Sequence, residues 1–169
     1  MSADKTTRLF LALWPDPFIR EQLREWRDAW GWPQDAAPVA DDKLHLTLHF
    51  LGNLPDERLP ELLDGLALPF DPFAVEIGRA VLWPRGLAVL EPHGEPPELL
   101  ALHARLGEAL VSLGLQPEQR AYRPHVTMAR RAVGCKLPAS GPSVLWQARS
   151  YALVESRGGY QVLREYPTR

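Results

Sequence analysis

Apolar and polar positions along this chain switch repeatedly between a period of two and a period near 3.6. "RLFLALWP" (Arg8 to Pro15) is a short apolar run closed by proline, which predicts a strand. Asp16 then offers an N-cap and Pro17 suits the first helical position. Leu23, Trp26 and Trp30 share one face behind them, so a helix should follow. "WGWPQDAAPVADD" reads as a loop from its Gly, Pro and Asp content. "LHLTLHFLG" alternates as a strand does, and "LPDERLPELLDGLALP" reads as an amphipathic helix ended by Gly and Pro. "FAVEIGRAVLWPRGLAVLEPHG" predicts two strands turning at Pro84 to Gly86. Leu99, Leu102, Leu106, Leu110 and Leu113 recur at helical spacings of three and four. "HVTMARRA" is a further strand, and "SVLWQARSYALVESR" with "GYQVLREYP" closes the chain as a hairpin around Gly158 and Gly159.

The order is strand-helix-strand-helix-hairpin, then helix-strand-hairpin, which suggests two similar halves. Within them the stretches "HLTLHF" from His45 and "HVTMAR" from His125 share a His-x-Thr-x pattern with apolar residues at each x. With five histidines and five threonines in 169 residues, chance supplies far fewer than one His-x-Thr triplet, yet two occur in matching surroundings. The first stretch also sets His49 four residues after His45. On a helix such a pair could grip one metal ion. Leu44, Leu46, Leu48 and Phe50 alternate strictly, however, and a strand would separate the two histidines by about 13 Å. Ala129 stands where the second stretch would repeat His49. No metal site is expected.

On a strand, His and Thr two apart point to one face while the apolar residues pack behind. Two such strands side by side would bring two imidazoles and two hydroxyls into one cleft. Imidazole titrates nearest neutrality, so a pair supplies an acid and a base and implies a bell-shaped pH profile near neutrality. Threonine hydroxyls donate to anionic oxygens without adding charge. This set suits displacement at phosphorus.

With "RLFLAL", "KLHLTLHFLG", "YRPHVTMAR" and "LVESRGGYQVLREYP" together, the chain resembles the RNA 2′,3′-cyclic phosphodiesterases. These form the 2′-5′ RNA ligase family of the two-histidine phosphoesterase superfamily. The resemblance covers nearly the whole chain. It implies one bilobal α+β domain over residues 1–169, with two antiparallel sheets lining a central cleft and helices packed outside. It also implies metal-free hydrolysis of a terminal 2′,3′-cyclic phosphate to a 2′-phosphate, with no cofactor. By that similarity His45 donates a proton to the 3′ oxygen, His125 accepts one from water, and Thr47 and Thr127 hold phosphoryl oxygens. Arg130 matches the arginine that commonly ends the family's second motif. Simple alternation puts Arg130 on the face opposite His125 and Arg131 on the same face, so either a bulge re-aims the strand end or Arg131 makes the contact. His49 falls on the active face by parity, as a rim residue.

The remaining features narrow the setting. A net charge of -2 argues against gripping long nucleic acid but leaves room for RNA 3′ ends or small cyclic nucleotides. Cys135 is the only cysteine, which fits a reducing cytosol, and the N-terminal apolar run from Leu9 to Trp14 is too short for a signal peptide or a membrane span. A cytoplasmic monomer is expected. No P-loop is present, so no ATP requirement is expected. Two other activities fit the same residues: joining RNA halves through a 2′-5′ bond, and non-catalytic binding of RNA ends, the latter disfavoured because binding alone would prefer arginine. Trp14, Trp83 and Trp146 lie near strand ends, where packing is expected before base stacking. His93 reads as a surface loop residue and His103 as a boundary residue of its helix.

Overall fold

The computed structural model describes residues 5–168. Expectations touching residues 1–4, including the reading of the N-terminal segment, and Arg169 lie in part outside the described residues. The chain enters on strand β1 (Thr6–Leu13) and turns into helix α1 (Pro17–Ala29). Asp16 caps that helix by accepting a 2.8 Å hydrogen bond from the Ile19 amide, so the sequence signal is met in detail. A two-residue strand β2 (Ala37–Pro38) precedes strand β3 (Leu46–Pro55) and a short helix α2 (Leu59–Gly65). The hairpin of β4 (Phe73–Trp83) and β5 (Leu87–Pro92) follows, then helix α3 (Pro97–Ser112) and strand β6 (Val126–Arg130). The β4–β5 turn needs Gly86: its φ is +73°, and an added Cβ would meet the Ala132 backbone nitrogen at 2.9 Å.

The last segment departs from the expected single hairpin. It divides at Arg149 into β7 (Val144–Ala148), which pairs with β4, and β8 (Ser150–Ser156), which pairs with β1 and with β9 (Tyr160–Pro167). One continuous apolar stretch thus serves both halves. The reason is that β7 closes the edge beyond β4 while β8 fills the place between β1 and β9, and alternation within a segment cannot reveal which partner it will meet.

The sheet runs β7-β4-β5-β6-β3-β1-β8-β9, with β2 also on β6. It comprises two antiparallel halves, joined between β6 and β3 by the pair Leu46–Val126. One face carries Leu9, Leu11, Leu13, Leu46 and Leu90, packed with Ile19, Leu23 and Trp26 of α1 and the leucines of α3. Helix α1 reaches β7 and α3 reaches β3, so each helix lies against the other half's strands and ties the halves together. The opposite face is left for the cleft. There Phe10, Ala12, Ala152 and Val154 form a small apolar wall with Trp14, Tyr160 and Val162. Trp146 is core, while Trp14 and Trp83 are half-buried at the cleft.

Candidate active site

At the seam, antiparallel register converts two similar sequences into one site. Leu46 sits opposite Val126. Continued one step each way, that register sets His45 across from Thr127 and Thr47 across from His125, all four on the face away from the two apolar residues. The two motifs are thereby related by a local two-fold. Both imidazoles are mounted the same way: His45 Nδ1 donates to the Lys43 carbonyl at 2.7 Å, and His125 Nδ1 to the Arg123 carbonyl at 2.8 Å. A carbonyl can only accept, so each ring carries its proton on Nδ1 and keeps Nε2 for chemistry. The Thr47 hydroxyl donates to His45 Nε2 at 2.8 Å.

A β-bulge follows each threonine. Ala12 pairs with Thr47 and Leu11 with His49, passing over Leu48. Val89 pairs with Thr127 and Ala88 with Ala129, passing over Met128. Each extra residue reverses the alternation beyond it. His49 therefore turns away from His45 and Thr47, contrary to the parity reading, toward α3 and the inner wall of a cavity that also borders His125. His49 is buried among the helices, where its Nε2 donates to the His103 carbonyl at 2.7 Å and its ring stacks on His103 with centroids 4.0 Å apart. His45 and His49 lie on opposite faces and cannot share an ion.

The same reversal brings Arg130 to the cleft face, where its charge is felt at His45. Arg131 instead turns into the left-handed region with φ 52° and donates through Nε to the Asp35 carbonyl at 3.1 Å. The two-fold counterpart of Arg130 is Phe50, an exposed aromatic whose ring is 6.3 Å from Phe10. The repeat is thus symmetric through its His-x-Thr residues and asymmetric just beyond them.

The surroundings of the two histidines also differ. His45 packs against Phe10 (4.7 Å), Trp14 (5.8 Å) and Tyr160 (5.6 Å). Burial, with the positive fields of His125, Arg20 and Arg130, pushes its pKa down to about 4 despite the Lys43 carbonyl. His125 packs against Trp83 at 4.3 Å. Burial lowers its pKa as well, but there Arg123 is opposed by Glu91. Next to His125 a cavity of about 260 Å³ extends past Phe50 and Trp83 toward Tyr122 and Arg120. Its floor is fixed by Tyr122, whose hydroxyl donates to the Thr47 carbonyl at 2.8 Å and whose ring stacks on His103 at 3.8 Å.

The description "2′-5′ RNA ligase superfamily" fits residues 14–151, a span that contains both motifs and the seam. The chain belongs to that superfamily. An Escherichia coli K12 relative, an RNA 2′,3′-cyclic phosphodiesterase, is 33% identical over 152 residues, covering 88% of this chain and 83% of the relative. A Thermus thermophilus protein of the same name is 32% identical over 169 residues, covering 88% and 81%. Among solved structures, E. coli LigT complexed with 3′-AMP superposes with a TM-score of 0.82 at 27% identity, over 97% of this chain and 99% of LigT.

The structure brings His45, Thr47, His125 and Thr127 together across the seam, with Arg130 near enough for its charge to act on His45. Sequence reasoning missed Glu91 and Arg123, which mount His125, and Tyr122, which holds the Thr47 carbonyl. The signal available was weak: an acidic residue inside an otherwise apolar strand, and the run "AYRPH" just ahead of His125.

Proposed function

We propose that this chain hydrolyses the terminal 2′,3′-cyclic phosphate of RNA, or of a small cyclic nucleotide, to a 2′-phosphate without a metal ion. The observation that carries the reading is the cross-seam arrangement of His45 and Thr47 against Thr127 and His125, with both Nδ1 atoms held by carbonyls so that each Nε2 carries no proton. The names borne by the E. coli and T. thermophilus relatives support the same activity.

In this reading the phosphorus sits between the imidazoles. His125 Nε2 takes a proton from water as the water oxygen bonds to phosphorus, and His45 Nε2–H gives its proton to the departing 3′ oxygen. The P–O3′ bond breaks and the 2′-phosphate remains. Thr47 and Thr127 donate to the non-bridging oxygens, and Arg130 offsets their charge. With its pKa lowered to about 4 His45 is neutral near pH 7, so it must gain its proton as substrate binds. Raising its pKa from about 4 to about 7 takes roughly 4 kcal/mol. An anionic phosphate about 4 Å away at an effective dielectric near 20 supplies about as much. Substrate charge is therefore large enough to load the acid. Once Nε2 is protonated it no longer accepts from Thr47, which frees that hydroxyl for the phosphoryl oxygen.

The chain acts in this reading as one catalytic unit, a cytoplasmic monomer without ATP. All four tetrad residues come from a single chain, the lone Cys135 suits a reducing compartment, and no P-loop sequence is present. The test is hydrolysis of a 2′,3′-cyclic nucleotide by the wild type, His45→Ala and His125→Ala. Each variant is expected to lose 10²–10⁴-fold in rate, roughly the worth of one proton-transfer group. Full activity in either variant would overturn the reading.

A further inference from the structure

The tetrad is two-fold symmetric, so by itself it gives no reason for a proton to leave one histidine rather than the other. Outside it, one buried carboxylate breaks the symmetry. Glu91 lies on β5 at 5% exposure and accepts four hydrogen bonds. Arg79 donates to Oε1 from Nε at 3.1 Å and Nη2 at 2.7 Å. Trp83 Nε1 donates to Oε2 at 2.9 Å and Arg123 Nη2 at 2.6 Å. Both Oε2 partners lead to His125. The Trp83 ring lies 4.3 Å from the imidazole, and the Arg123 carbonyl accepts the Nδ1 proton. The Arg123 guanidinium also lies over the Trp83 ring, 4.4 Å from its centroid, which closes the loop.

His45 has no such mount. Arg20, one of the cations whose charge acts on it, stacks on Trp14 at 5.1 Å and donates to the carbonyls of Asp41 and Leu44. At His45 the fields of Arg20 and Arg130 meet no opposing carboxylate, whereas at His125 Glu91 opposes part of the larger field of Arg123, and that difference favours proton movement from His45 toward His125.

We propose that Glu91 is a positioning residue for the reaction: it holds Trp83 and Arg123 against the His125 ring and stabilises the imidazolium that forms there, and so sets the direction of proton transfer. This rests on the cyclic-phosphodiesterase reading for its catalytic consequence, but the Glu91–His125 coupling exists without substrate. The charged groups facing His125 are Arg79 on β4, Glu91 on β5, Glu118, Arg120 and Arg123 on the loop before β6, and His45 across the seam. Among these Glu91 raises the His125 pKa and Arg123 lowers it. Replacing Glu91 by a neutral group should therefore lower it, and removing a cation that neutralises Glu91 should raise it.

The experiment combines NMR titration of the His125 ring in the substrate-free protein with kinetics on a 2′,3′-cyclic nucleotide, for the wild type, Glu91→Gln and Arg79→Met. Glu91→Gln is expected to move the His125 titration to lower pH and cut kcat about 10–100-fold with KM changed less than about threefold, since the effect lies in the transition state. Arg79→Met, at an exposed position, is expected to move the titration to higher pH, and it decides the matter if Glu91→Gln does not fold. A lowered Tm with the His125 titration unmoved in both variants would overturn the proposal. A wild type that leaves the cyclic nucleotide intact would sink the proposed reaction, while the two opposed titration shifts would still establish the coupling.

Discussion

Leu46 and Val126 face each other across the middle of the sheet, both with no exposed surface, and theirs is the pair that joins β3 to β6. Each follows a histidine and precedes a threonine. Burying two apolar residues together at this point thus forces two imidazoles and two hydroxyls onto the opposite face. Packing on one side of the sheet assembles the chemistry on the other.

The separation of the two histidines of the first motif is directly measurable. His49→Ala removes a buried ring stack and the bond to the His103 carbonyl, and should cost about 2–3 kcal/mol of stability. Its rate on a cyclic nucleotide, measured well below Tm, should stay within about threefold of wild type. His45→Ala, which also removes a ring packed on Phe10, Trp14 and Tyr160, should differ from it by a large loss of rate that persists well below its Tm. A His49→Ala protein as stable as wild type but inactive would mean that the bulge at Leu48 is misassigned.

Much of this arrangement was legible in the sequence, for a physical reason. Strand alternation, the Asp16-Pro17 helix start and the leucine stripe of α3 are local signals, and they specify their elements without reference to the rest of the chain. The pairing of His45-x-Thr47 with His125-x-Thr127 was legible because repetition marks it. The bulges at Leu48 and Met128 were not, since a bulge exists only relative to the partner strand. Parity carried past them puts His49 in the cleft and leaves Arg130 and Arg131 undecided. The division at Arg149 and the hydrogen bonds to Glu91 likewise depend on which strands become neighbours.

Arg130 and Arg131 give the second prediction. Arg130→Ala should lower kcat/KM on a cyclic nucleotide by about 10–100-fold, the loss of one charge-assisted contact to phosphate. Arg131, held by the Asp35 carbonyl, should tolerate alanine with less than about a threefold change. Steady-state kinetics on the two variants checks this, and equal losses would show that Arg131 also reaches the phosphate.

The third concerns pH. The sequence alone points to a profile centred near neutrality, but burial lowers both histidines, His45 to about 4. In the free enzyme His45 must be protonated and His125 neutral. Above both pKa values the fraction of molecules in that state falls tenfold per pH unit. The maximum of kcat/KM should therefore lie below pH 6.5, with a limb descending through neutrality. In the substrate complex the phosphate raises His45, so the kcat profile should lie at higher pH than that of kcat/KM. A kcat/KM that climbs through pH 6.5 to an alkaline plateau would contradict the assignment of His45 as the acid.

The most direct measurement is the phosphorus NMR spectrum of the product formed from a 2′,3′-cyclic nucleotide in excess EDTA. Water must attack opposite the leaving oxygen. If His45 protonates the 3′ oxygen while His125 activates water across the seam, the product is the 2′-phosphate, formed at the rate seen without chelator. Chiefly 3′-phosphate would mean that the ribose lies the other way round and the donor and acceptor are exchanged. Loss of turnover in EDTA, restored by one divalent ion, would mean that the two histidines do not carry the reaction by themselves.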